Sequence, residues 1–167
     1  MSHILRLPAI LALFALMALS LLGALVAAGN ITGFVAPIAQ VQEMQAAAAE
    51  SGAAEATWID VGMLAGAALF FLISAVRMMR RTQGFWTWLL GFACYGGRWA
   101  WSQQESGNLM ATIQGVDLNA YRNPQALLTD LSTPEGQIGM LAVVLIVGIV
   151  VFLVDAMDRS YWDKQGA

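Results

Sequence analysis

Residues 85–101 read FWTWLLGFACYGGRWAW, with seven aromatic side chains, three glycines and one charge, Arg98. As a helix, this stretch rises about 25 Å, close to the ~30 Å of hydrocarbon in a bilayer. At 100° per residue, Trp88, Phe92, Tyr95 and Trp99 fall on one stripe. Gly91, Cys94, Arg98 and Trp101 fall on a second stripe a quarter-turn away. Arg98 stands one turn from the end of the segment, away from the bilayer centre.

Two readings of Arg98 follow. In the first, its long stem lies along the apolar helix and the guanidinium reaches headgroup phosphates, with Trp99 and Trp101 as belt residues. In the second, it is paired. The short turn 82–84 joins this stretch to the apolar run 58–79, so the two are expected to form an antiparallel hairpin. Asp60 then stands level with Arg98, and Glu105 is a second candidate acceptor. A cation at this depth is costly unless paired, so a pair marks a specified contact.

Further out lie two more apolar runs, 7–28 and 134–158. The first has the plan of a secretory leader, with Arg6 before it and the small residues Val26-Ala27-Ala28 at its end. It is longer than a leader's apolar core, so a retained helix is expected, with a cleaved signal as the alternative. The last run opens with Thr133, Pro134 and Glu135, which suit a cap, a first helical position and the positive end of a helix dipole. Asp155 and Arg159 close it at i,i+4 spacing.

The composition agrees with these runs. The chain of 167 residues is 59% hydrophobic and only 11% charged, against about a quarter charged in a soluble domain. A chain this apolar needs the bilayer as solvent. The fold expected is all-α: an integral membrane four-helix bundle with helices at about 7–28, 58–79, 85–101 and 134–158. Orientation follows from the cations. With both termini cytoplasmic, Arg6, Arg77, Arg80, Arg81, Arg159 and Lys164 lie inside, and only Arg98 and Arg122 lie toward the outside. The outer loops are then about 30–57 and 102–133. Both are expected to hold short helical pieces, in the alanine-rich QVQEMQAAAAESGAAEA (40–56) and in NPQALLTDL (123–131). The location expected is a bacterial-type inner membrane.

Several chemistries find no support. The only histidine is His3, in the N-terminal tail, so histidine-ligated haem, copper or chlorophyll within the helices is not indicated. Cys94 is the only cysteine, which excludes a dithiol pair within the chain. No basic run longer than Arg80-Arg81 suggests nucleic acid. Neither a metal site, a cofactor site nor a catalytic residue is expected.

Glycines offer helix-packing positions. Gly62 and Gly66 form a small-xxx-small face on the second helix, Gly23 and Ala27 offer another on the first, and Gly91 and Gly97 thin the third. The layout resembles the small DoxX-like membrane proteins. The likeness rests on RMMRR (77–81) closing the second helix and on Gly97-Arg98 near the outer end of the third, mostly over residues 58–101. The long loop 102–133 departs from that compact plan, and the resemblance implies no catalytic residue.

The function expected is a non-catalytic accessory subunit or assembly factor, in contact with membrane lipids and with other membrane subunits. The alternative is a lipid- or quinone-binding protein with its site near the outer leaflet, around Trp88, Phe92, Tyr95, Arg98 and Trp99.

Overall fold

The computed structural model describes residues 2–34, 39, 41–43, 46, 56–105 and 134–165. At 2–3, 102–105, 134–137 and 159–165 it describes backbone alone. The expected helical piece at 123–131, the Thr133 cap and the side chains of Glu105 and Arg159 therefore lie outside what is described. In the loop before α2, residues 39, 41–43 and 46 are helical.

The described residues are all-helical. The elements are α1 (Ser2–Thr32), α2 (Trp58–Met79), α3 (Phe85–Glu105) and α4 (Pro134–Gln165). Three of them, over Ile4–Thr32, Trp58–Met79 and Ile138–Asp158, are long and apolar enough to cross a membrane. The sequence reading expected four. The helix that falls short is α3. Its length suffices, but its glycines, its indoles, Arg98 and the polar Ser102-Gln103-Gln104 dilute its apolar character.

Helix ends follow local chemistry. α1 runs past Val26-Ala27-Ala28 and stops at Gly33, whose φ of 69° is the left-handed conformation that ends helices. The backbone N–H of Gly33 donates to Gly29 over 2.8 Å. α2 opens with a capping box: the Asp60 N–H donates to the Thr57 hydroxyl, and the Thr57 N–H donates to the Asp60 carboxylate. It ends in a five-residue turn, with Arg81 at φ 58°. There Ser74 donates its hydroxyl to the Gly84 carbonyl over 2.9 Å, and Arg77 Nε donates to the Gln83 carbonyl over 2.7 Å.

Each apolar helix buries one narrow stripe. On α1 the stripe is Ala9, Leu13, Leu16, Ser20, Ala24 and Ala27; on α2 it is Leu64, Ala67, Phe71, Ala75 and Met78; on α4 it is Met140, Val144, Val147, Val151 and Val154. Steps of three and four keep such residues on one face. The opposite faces are apolar too: Leu7, Leu11, Leu21 and Leu25 of α1 and Ile146, Ile149 and Phe152 of α4 are exposed. A helix that is hydrophobic all round belongs in lipid. α1 packs on α2, α2 on α3, and α4 on both α1 and α3.

Candidate functional site

The α2–α3 hairpin is drawn together along the stripe of Gly91, Cys94 and Arg98. Nearest the turn, Gly84 sits against α2: a Cβ there would lie 2.7 Å from Met78 Cγ. Next, a Cβ on Gly91 would lie 2.7 Å from the ring of the fully buried Phe71. Further along, Gly66 faces Cys94, with 3.6 Å from its built Cβ to Sγ. At the far end, Arg98 Nε donates to Asp60 Oδ1 over 3.0 Å. The contact partners step regularly backward along α2 as α3 advances, as an antiparallel pair requires.

Asp60 has a double role. One carboxylate oxygen accepts from Arg98, while the other accepts from the Thr57 backbone and hydroxyl at 2.9 and 2.8 Å. The Asp60 side chain is 13% exposed and that of Arg98 is 39% exposed. The carboxylate is therefore mostly enclosed, while the arginine side chain keeps more open surface. Its Nε is committed to the carboxylate, as in the paired reading.

The aromatic stripe turns toward α4. Trp88 is 4% exposed and lies on Gly148, where a Cβ would overlap the indole. Its ring stacks on Phe85 and on Phe92, with both centroid separations at 5.5 Å, and Phe85 meets Phe152 of α4 edge-on. Phe92 and Tyr95 are partly buried and pack against the same core. Trp99 is partly buried as well. The residues proposed for a lipid or quinone thus divide: Trp88 is spent on packing, and Phe92, Tyr95 and Trp99 keep some open surface. The Trp88 indole N–H is buried without an acceptor among the described residues.

Two of the expected packing glycines behave differently from Gly66 and Gly91. A Cβ on Gly62 or Gly97 would meet nothing within 4 Å among the described residues. The small-xxx-small spacing of Gly62 and Gly66 therefore brings only Gly66 to a neighbouring helix. Gly23 of α1 does meet one, with its built Cβ 3.3 Å from Leu64 of α2.

The opposite end of the molecule holds contacts that the sequence reading did not foresee. Arg6 of α1 pairs with Asp158 of α4. Asp155, 5% exposed, accepts the Phe85 N–H over 2.9 Å and so satisfies a free amide at the start of α3 from another helix. The sequence reading paired Asp155 with Arg159, whose side chain lies outside the described residues. The clue available was that Phe85 begins a helix after a glycine, with no side-chain cap of its own. Among the described residues, no three of His, Cys, Asp and Glu gather in a way that could hold a metal ion.

Comparison of the chain with protein-family models, with curated proteins and with solved structures finds no match.

Proposed function

We propose that the chain is a four-helix, multi-pass protein of a bacterial-type inner membrane, with both termini cytoplasmic, and that it serves as a non-catalytic accessory subunit or assembly factor. The observation that carries this reading is how the ionisable groups near the helix ends are used. Asp60 joins α2 to Arg98 of α3, Arg6 of α1 joins Asp158 of α4, and Asp155 of α4 caps α3. Each contact ties one helix to another. Intramembrane charges that serve transport or catalysis instead line a shared path or cavity.

α3 crosses with its neighbours in this reading, although its own composition is less apolar. It follows α2 from the Ser74–Gly84 contact to the Asp60–Arg98 contact, about 21 Å of helix. A span enclosed by two apolar helices tolerates glycine and arginine that lipid would not. α1 is retained, since its buried stripe and Arg6 are part of the core. Cation placement supports the cytoplasmic assignment of both ends.

The competing reading, a lipid or quinone held near Trp88, Phe92, Tyr95, Arg98 and Trp99, draws on the open surface of the last four. It is weakened by the packing of Trp88 on Gly148. Purification of the tagged chain at natural expression level in mild detergent, followed by mass spectrometry of proteins and lipids, tests both. A stoichiometric membrane-protein partner is the expected result. A lone chain carrying one enriched lipid or quinone overturns it.

A further inference from the structure

Five arginine side chains are described, and the fold treats them in two ways. Arg6 is buried and paired with Asp158, and Arg98 is paired with Asp60. Arg77, Arg80 and Arg81 have no acidic partner among the described residues, and all three are exposed at the turn between α2 and α3. Arg77 lies in the last turn of α2, Arg80 is its C-cap and Arg81 follows, so three cations fall within five residues at one helix end. No acidic residue occurs from 77 to 87. Met79 and Trp86 flank the group and are 50% and 61% exposed.

Helix-end electrostatics accounts for part of this. A cation in the last turn of α2 complements its free carbonyls, which suits Arg77. It does not account for Arg81, which lies beyond the helix in a left-handed conformation (φ 58°) that glycine adopts more readily. The turn itself gains nothing from an arginine there. Arg77 is also held in place, because its Nε donates to the Gln83 carbonyl.

We infer that the 77–81 turn is a binding site for the phosphate headgroup of an anionic phospholipid. Guanidinium groups match phosphate oxygens in pairs of parallel hydrogen bonds. Trp86 is an amphipathic ring of the kind that sits at headgroup level, and Met79 extends the apolar surface beneath. A cluster of cations at the end of a membrane helix is drawn to anionic lipid, which is enriched in the cytoplasmic leaflet. The choice of leaflet rests on the orientation proposed above; the binding does not, because the experiment is done where no leaflet exists.

The full chain, delipidated in mild detergent, is titrated with phosphatidylglycerol or phosphatidylcholine and read by native mass spectrometry. Wild type is expected to take phosphatidylglycerol in clear preference. At roughly fivefold for each interfacial arginine, Arg80→Gln with Arg81→Gln lowers that preference by an order of magnitude or more. Arg81→Gly is the companion variant. It suits the backbone conformation, so thermal stability is held or raised while the lipid preference falls. Arg80→Lys with Arg81→Lys keeps much of the preference. Equal uptake of the two lipids by wild type, or an unchanged preference in both neutralised variants, overturns the inference and directs attention to an acidic protein segment as the occupant. Competition by soluble glycerol phosphate at concentrations comparable to the lipid overturns it in favour of a free-anion site.

Discussion

Asp60 and Arg98 close the hairpin of α2 and α3 at the end opposite the Ser74–Gly84 contact. Asp60 lies fourteen residues before Ser74 on α2, and Arg98 lies fourteen after Gly84, the residue that precedes α3. The hairpin is therefore tied at both ends, about 21 Å apart, and its register is specified from each. Because Asp60 also caps α2, its loss and the loss of Arg98 are not equivalent. Arg98→Leu removes one partly exposed pair and is expected to cost about 1 kcal/mol. Asp60→Ala removes the pair and the cap, for a cost of about 2 kcal/mol. Thermal unfolding in detergent, followed by helical circular dichroism, compares the two. Equal losses would show that the cap contributes nothing.

The glycines separate by what stands opposite them. Gly91→Ala drives a methyl group into the ring of Phe71, which is 0% exposed and has no room to turn. A cost of about 1–3 kcal/mol is expected from such overpacking. Gly62→Ala and Gly97→Ala meet open space, so they are expected to be neutral or to stabilise by up to about 1 kcal/mol through helix propensity. Gly66→Ala, at ordinary contact distance from Cys94, lies between. Melting temperatures of the four variants should rank in that order, with Gly91→Ala lowest.

α3 owes its position against α4 to Gly148. The Trp88 indole occupies the space that any larger residue at 148 would fill. Gly148→Ala is therefore expected to destabilise by about 1–3 kcal/mol. Trp88→Leu opens a cavity and costs about 3 kcal/mol. The double variant should lose clearly less than the sum, because each change relieves the other. A double-mutant cycle on melting temperature reads the coupling, and strict additivity would mean that the two residues do not meet.

What was legible in the sequence was local. The tight turn at 82–84 brings Asp60 level with Arg98, and helical geometry places Gly91, Cys94 and Arg98 on a stripe distinct from that of Trp88, Phe92 and Tyr95. The chain does not say locally which stripe meets which helix; that depends on Phe71 and Gly148, far off in sequence. Nor does spacing tell Gly66 from Gly62, since both obey the same pattern and only one is approached. The Phe85–Asp155 and Arg6–Asp158 contacts join residues 70 and 152 positions apart. No periodicity signals contacts of that kind. α3 shows the converse: its length suggested a span, while its composition depends on α2 and α4 for cover.

The Arg6–Asp158 pair makes a prediction about how α1 is held. Arg6 is 8% exposed, and its Nε lacks an acceptor among the described residues, so the pair is enclosed but incompletely satisfied. Removing one member strands the other. Arg6→Met alone leaves the Asp158 carboxylate without its cation and is expected to cost about 3 kcal/mol. Replacing both, as Arg6→Met with Asp158→Leu, removes the stranded charge and the desolvation penalty together, and should recover most of that loss. The measurement is unfolding of both variants in the same detergent. A double variant no more stable than Arg6→Met would show that the pair lies in water and that α1 is held by its buried stripe alone.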